Sequence, residues 1–230
     1  MKTVVAVDGP VGAGKSTVCR LLAGRLGYAY LDTGAMYRAV AYVLTRKRVS
    51  VPETSAVYDW LNQLPLRFAI DGGILNITFG DRKLGEELRS PEVSLLASAF
   101  SQLEGVRKFL RERQKELAAC GNIVAEGRDM ATEVFPDAAV KVFLTADLAT
   151  RVRRRHEEYR RKGINITLQD LREEIEDRDR ADQERDVAPL RAAPGAWILD
   201  TSFMDIEEVV TRLTEIVEDK SRVDGPGAVE

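Results

Sequence analysis

The stretch Asp8-Gly9-Pro10-Val11-Gly12-Ala13-Gly14-Lys15-Ser16-Thr17 limits what this chain can fold into more than any other. From Gly9 to Ser16 it fits G-x-x-x-x-G-K-[ST] without a gap. The run Thr3-Val4-Val5-Ala6-Val7 before it reads as a buried strand, and Val18, Leu21, Leu22 and Leu26 after it recur at helical spacing. Strand, glycine loop and helix in that order make a cradle. Backbone N–H groups converge on an anion there, and the helix N-terminus adds partial positive charge. A glycine-rich turn that fits by coincidence is the plain alternative, and the flanking elements argue against it. The loop therefore predicts a nucleoside triphosphate site spanning Gly9, Pro10, Val11, Gly12, Ala13, Gly14, Lys15, Ser16 and Thr17. Lys15 is placed to reach the β- and γ-phosphates, and the Ser16 hydroxyl to ligate Mg²⁺ brought with the nucleotide. What receives the phosphoryl group stays open at this point.

The rest of the chain alternates strand and helix. Five apolar strands are expected at about 3–7, 28–31, 122–126, 140–144 and 196–200. Right-handed crossovers then give an α/β fold, a doubly wound five-stranded parallel sheet with helices on both faces. Asp32 or Thr33 is available to cap a second helix that carries Arg38 in its first turns. Residues 46–58 read as a loop with a short helical piece. Period-2 alternation in Leu66, Phe68, Ile70 and again in Leu75, Ile77, Phe79, around Asp71-Gly72-Gly73, predicts a hairpin. It interrupts the helix–strand rhythm, so residues 60–90 are read as a small antiparallel insert. Residues 1–59 and 91–220 form the core domain, and 221–230 a flexible tail. Ser90-Pro91-Glu92 starts a long helix expected to run to about Ala119, with Ser98 and Arg107 on it. Gly127-Arg128-Asp129 follows a short apolar strand, at the carboxyl end where open α/β sheets place ligands.

Charge placement is the next constraint. The chain has 230 residues and a net charge of −3, which argues against general nucleic-acid binding. Yet residues 151–162 hold seven cationic side chains against two acidic ones. A charge run is usually a solvated helix face. Beside a phosphate loop, arginines have a use, because their planar forks meet phosphate oxygens bidentately. His156, the one histidine, is read as a surface residue. Thr167 begins another helix, on which Arg178, Asp182 and Arg185 at i, i+4 and i+7 share a face until Ala188-Pro189 closes it. Hydrophobic residues make up 44% of the chain, with no run approaching the roughly 20 residues that span a membrane. The Lys-then-strand start predicts no signal peptide. Cys19 and Cys120 lack disulfide-framework or metal spacing and are expected as packed thiols in a reducing cytoplasm.

Four stretches carry a family resemblance: Asp8–Thr17 (DGPVGAGKST), Leu31–Arg38 (LDTGAMYR), Gly127–Pro136 (GRDMATEVFP) and Arg178–Leu190 (RDRADQERDVAPL). The chain resembles the bacterial cytidylate kinases, P-loop nucleoside monophosphate kinases, over about residues 1–217. The resemblance implies ATP as donor with Mg²⁺, CMP or dCMP as acceptor, an NMP-binding insert at 60–90 and an Arg-rich helical lid at about 151–166. It implies that Ser98, Arg107 and Asp129 contact cytosine and that Thr33 stands at the acceptor site. Arg38, Arg128 and Arg185 would hold the acceptor phosphate, and Arg178 and Asp182 would lie near the ribose. Lys15, Arg128, Arg151, Arg154 and Arg155 are the candidates for catalysis, the last three from the lid. Ala181 stands where some members carry a further arginine. A cytoplasmic monomer with no membrane or nucleic-acid partner is expected.

The implied chemistry is ATP + CMP (or dCMP) → ADP + CDP (or dCDP), by direct in-line transfer. A phosphate monoester with a second pKa of about 6 is already largely anionic at neutral pH, so no general base is required. A kinase of a small hydroxyl metabolite, of the shikimate-kinase type, is the alternative and needs a carboxylate base, for which Asp32 or Asp129 could serve. Another nucleoside monophosphate is a further alternative acceptor. A GTP-dependent switch would need N-K-x-D, which the chain lacks.

Overall fold

A computed structural model describes residues 2–46 and 56–223. In chain order the elements are β1 (Val4–Asp8), α1 (Lys15–Leu26), β2 (Ala29–Asp32), α2 (Thr33–Arg46), α3 (Ala56–Gln63), β3 (Leu66–Asp71), β4 (Ile74–Phe79) and β5 (Arg82–Leu84). They continue with α4 (Pro91–Phe100), α5 (Glu104–Ala118), β6 (Ile123–Gly127), β7 (Val140–Thr145), α6 (Leu148–Arg161), α7 (Leu168–Glu184), β8 (Trp197–Asp200) and α8 (Ile206–Val223). One sheet runs β3-β4-β2-β6-β1-β7-β8, with β5 paired to β4. β2, β6, β1, β7 and β8 are mutually parallel, which is the five-stranded parallel core expected from the apolar runs. β1 lies at its centre, so the loop after it opens where the chain departs to both sides.

Alternation along the central strands sorts the core. Val5 and Val7 of β1 and Val142 and Leu144 of β7 face α1 and α8, where Leu22, Val210 and Leu213 meet them. Ala6, Leu31, Ile123 and Ala125 face the other way, toward Met36, Val40, Phe109 and Leu110 of α2 and α5. A third, small core joins α6 to α7 through Val152, Tyr159, Leu171 and Ile175.

Several expectations need correction. The hairpin β3–β4 is present and its Gly72-Gly73 turn is as read, but it does not stand apart from the main sheet. Tyr30 N–H donates to Gly73 O at 2.9 Å and Tyr30 pairs with Ile74, so the hairpin extends the sheet beyond β2. Leu66 and Ile77 share the α2–α5 core. The helix expected over 91–119 is two helices. Its start is as predicted, with Ser90 Oγ accepting from Val93 N–H at 3.1 Å and Pro91 in the first turn. It ends at Phe100, and Leu103, in an extended conformation, starts α5. The break is held by Arg107, whose Nη1 donates to the Ser101 carbonyl at 3.1 Å. Apolar spacing through Phe100, Leu103 and Val106 hides it. Thr167 caps α7 as expected, its Oγ1 accepting from Asp170 N–H at 3.0 Å. That helix ends at Glu184, before Ala188-Pro189, and Arg185 is extended rather than on the helical face of Arg178 and Asp182. α8 continues through Val223, so residues 221–223 are helical; the rest of the expected tail, 224–230, lies outside the described residues, as does most of the expected 46–58 loop. Cys19 is buried, but Cys120 is exposed rather than packed. His156 is half-buried rather than fully on the surface.

Leu31 is fully buried where β2 meets α2. Leu31→Ala should cost about 2–5 kcal/mol. Urea unfolding followed by circular dichroism checks this, and an unchanged midpoint would mean that the α2 side of the core does not close on the sheet.

Candidate active site

The carboxyl ends of β1, β2 and β6 and the helices beyond them enclose a cavity of about 1450 Å³. Pockets for one drug-sized ligand run to roughly 1,000 Å³, so this one has room for two small molecules. The phosphate loop forms its floor. Gly9 is required there, because a Cβ would sit 2.0 Å from the Leu144 carbonyl oxygen of β7. Val11 to Thr17 line the cavity, while Gly9 and Pro10 do not. Lys15 is folded onto its own loop, donating from Nζ to Gly9 O at 2.7 Å and to Pro10 O at 2.8 Å. Burial, with the Arg128 guanidinium adding repulsion, lowers its pKa to about 7.

Three buried acids that the sequence reading did not single out support this floor. Asp8 accepts from the N–H groups of Met130 and Ala131, both at 2.8 Å, and so fixes the single π-helical turn Met130–Val134 against β1. Burial raises its pKa to about 6. Glu126, next to last in β6, stands beside Lys15; burial and the nearby Asp32 raise its pKa, while Lys15, the Tyr30 phenol and the Ser16 hydroxyl favour its charged form. Asp179, on α7, reaches the loop at Val11. A carboxylate closing an apolar strand, as in Val124-Ala125-Glu126, is the signal that could have found Glu126.

The opposite wall carries the residues expected for the acceptor. Thr33 is buried and donates from Oγ1 to Glu126 O at 2.6 Å. Asp32 caps α2, accepting from Ala35 N–H at 2.7 Å, and its second oxygen accepts from Arg38 Nη2 at 3.2 Å. Arg107 is only 2% exposed and pairs with Asp129, next to Ser98 and Ser101. Arg128 Nε donates to Asp182 Oδ2 at 2.8 Å. Arg185 lies 3.7 Å from Asp182 and 3.9 Å from Asp129. Arg178 makes no ion pair among the described residues, and its Nε is buried without a partner. Burial, then the charges of Arg128, Arg155 and Arg38 around it, lower its pKa to about 10.

The three lid arginines part company. Arg154 and Arg155 line the cavity; Arg151 does not. Arg154 donates to Thr201 O at 2.7 Å, tying α6 to the segment after β8. Arg155 Nη1 donates to Glu158 at 2.7 Å and its guanidinium lies over the Tyr159 ring. Of the insert 60–90, Arg89 alone lines the cavity; the wall beyond it comes from α4, through Ser94, Ala97 and Ser98. The segment Thr201 to Asp205, also unanticipated, borders the loop with Phe203 100% exposed.

The sequence model of one family, described as cytidylate kinase, matches residues 5–219. The chain belongs to the cytidylate kinase family. A cytidylate kinase of Fervidobacterium nodosum is 43% identical over 97% of this chain and 100% of its own length. One from Carboxydothermus hydrogenoformans is 42% identical over 95% of this chain and 99% of its own. A solved structure of an uncharacterized protein from Eubacterium ventriosum is similar in fold alone, with a TM-score of 0.50, 11% identity and coverage of 95% of this chain and 99% of that one. For a cytidylate kinase family member, the cavity's two walls have distinct characters. One is a phosphate loop with a lysine. The other is a belt of guanidiniums around a buried Arg107–Asp129 pair. Among the described residues no group of three or more His, Cys, Asp or Glu could cage a metal ion, and no helix is long and apolar enough to cross a membrane.

Lys15 links this geometry to pH. Between about pH 7 and its ordinary value of 10.5, the unfolded chain holds a proton that the folded chain has released. The lysine's contribution to stability therefore grows as pH rises through that window. Without nucleotide, the wild type should gain thermal stability relative to Lys15→Met between pH 7 and pH 10; parallel melting profiles would reject the shift.

Proposed function

We propose that the protein transfers the γ-phosphoryl group of ATP to the phosphate of CMP or dCMP. The observation that carries this reading is Arg178: a half-buried guanidinium, its Nε buried without a hydrogen-bond partner, with no carboxylate bridge among the described residues, pressed by Arg38, Arg128 and Arg155, facing a phosphate loop across one cavity. Such a cluster is relieved by a dianion. A phosphate monoester supplies that charge, whereas a shikimate-type acceptor brings a single carboxylate charge and leaves more of the belt unmet. Full-length likeness to cytidylate kinases supports the choice of base.

In this reading ATP lies along Gly9 to Thr17, and Lys15 exchanges its bonds to Gly9 and Pro10 carbonyls for phosphate oxygens. Arg38, Arg128 and Arg185 hold the acceptor phosphate, with Arg178 and Asp182 toward the ribose. An acceptor oxygen attacks the γ-phosphorus in line, the bond to the β–γ bridging oxygen breaks, and ADP leaves carrying that electron pair. Arg128, Arg154 and Arg155 stabilise the charge that spreads over the transferring group. The Ser16 hydroxyl beside Glu126 offers hard oxygen donors suited to Mg²⁺ brought with the nucleotide. When bound, Mg²⁺ neutralises charge on the β- and γ-phosphates. Arg107 and Asp129 present donor and acceptor side by side, matching the N3/O2 acceptors and exocyclic amine of cytosine, with Ser98 as a further donor. Uracil would set a carbonyl against the Asp129 carboxylate. The free thiols Cys19 and Cys120 accord with work in the cytoplasm.

A coupled assay of ADP release with CMP, dCMP, UMP, AMP, GMP and shikimate in turn tests the acceptor. CMP and dCMP should give the highest kcat/KM, and shikimate as best acceptor would overturn the reading. Lys15→Ala should lower kcat by about 10²–10³-fold; near-normal turnover would remove Lys15 from the site. Asp129→Asn should narrow the CMP-over-UMP preference by about tenfold or more while leaving KM for ATP within about twofold. Unchanged selectivity would take Asp129 out of base reading.

A further inference from the structure

The phosphate loop is gripped from outside at Val11 from two helices, and more loosely at Ala13, whose carbonyl accepts from Arg154 Nη1 at 3.4 Å. The Val11 side chain packs against the small core shared by α6 and α7. Its N–H donates to Asp179 Oδ1 at 3.3 Å, and its carbonyl accepts from Arg151 Nη1 at 3.1 Å. Arg151 Nη1 also donates to Asp179 Oδ2, and its Nε donates to Ala146 O at 3.1 Å. Arg151 and Asp179 are 9% and 8% exposed, and neither lines the cavity. The next residue, Gly12, has φ +76°, and a Cβ there would lie 3.1 Å from both Arg151 Cβ and Arg151 O. The first turn of α6 therefore rests directly on the loop.

A buried ion pair is weak as a source of stability, because desolvating both charges offsets most of their attraction. What this pair does is orient. It holds both backbone polar groups of Val11, and so the two peptide units that flank its Cα, with the N–H taken from α7 and the carbonyl from α6. α7 also carries Arg178, the neighbour of Asp179, and Asp182 into the acceptor wall.

We propose that Asp179 and Arg151 are positioning residues that clamp the Val11 backbone and couple donor binding in the phosphate loop to the acceptor-side Arg178 and Asp182. Arg151 then acts on the reaction through the loop and not by touching the transferring phosphoryl group. Nucleotide contacts that fix the loop also fix α7 through Val11, and an acceptor seated on Arg178 restrains the loop in return. The coupling is reciprocal. It rests on the reading of this site as a two-substrate kinase.

Titration calorimetry on the full chain tests the clamp. The β,γ-imido analogue of ATP with Mg²⁺ is bound in the absence and presence of CMP, to wild type, Asp179→Asn and Arg151→Lys. In wild type, CMP should tighten binding of the analogue. In Asp179→Asn, which keeps shape and removes charge, affinity for the analogue should fall by about tenfold and the tightening by CMP should drop toward none. Affinity for CMP alone should stay within about twofold. Arg151→Lys, which keeps the charge and loses the fork, should show the same pattern to a smaller degree. It stands in as the test if Asp179→Asn fails to fold. Unchanged donor affinity and unchanged tightening overturn the proposal even where the melting temperature falls, since that is all a merely structural pair would produce. Absence of tightening in wild type overturns the coupling as well. If wild type phosphorylates no CMP in the acceptor assay while analogue affinity still responds to Asp179→Asn, the function reading fails and the grip on the donor loop stands.

Discussion

Mutual repulsion among guanidinium groups is the constraint on which this structure turns. Arginines from α2, α5, α6, α7 and the segment after β6 converge on one cavity, where burial denies them water. Four are met by a carboxylate each: Asp32 for Arg38, Asp129 for Arg107, Asp182 for Arg128, Glu158 for Arg155. Arg185 shares Asp129 and Asp182, and Arg154 is tied to the Thr201 carbonyl. Arg178 has no ion pair among the described residues and feels Asp182 against the charges of Arg128, Arg155 and Arg38. The belt is therefore satisfied enough to fold and left short of negative charge at one place. That place is where an anionic substrate gains most, because a charge added there meets a preformed field and reorganises little.

The sheet explains why these charges can be collected at all. β1 and β6 are buried on both faces, so polar residues are admitted only where these strands end. Asp8, Glu126, Arg128 and Asp129 all stand at or just past those ends. Parallel strands put every carboxyl end on the same edge. The site is in this sense a consequence of strand direction. Asp8 makes the edge rigid by holding the turn that follows Asp129.

What could be read from the residues divides along the same line. Val4–Val7 and Val140–Leu144 announce buried parallel strands through composition, and the glycine loop announces an anion site through spacing. Both are local signals. Partners are not local. The break between α4 and α5 depends on Arg107 reaching the Ser101 carbonyl, which no apolar period reports. The attachment of the hairpin to β2 rests on Tyr30 and Gly73, two residues with no pattern between them. Arg151 and Arg154 look alike in a basic run. One turn of helix separates a residue held beneath the loop from one that lines the cavity.

In the proposed reading, Lys15 keeps the donor side ready. With no phosphate present its ammonium is satisfied by two carbonyl oxygens of its own loop. Those bonds involve neutral acceptors, and the surroundings are dry and carry the positive charge of Arg128, so the protonated form is held only weakly. A phosphate offers charged acceptors in the same volume. Both sets of bonds are charge-assisted through the ammonium, and the phosphate adds the attraction of a full negative charge in a dry site. The exchange of carbonyl for phosphate therefore favours the nucleotide without a large movement of the lysine's backbone, provided the loop keeps its shape while the side chain lets go. Val11 is the residue whose backbone is held from outside the loop on both sides. Its carbonyl and N–H are engaged by α6 and α7, so the strand-to-helix curve does not rely on Lys15 for its form.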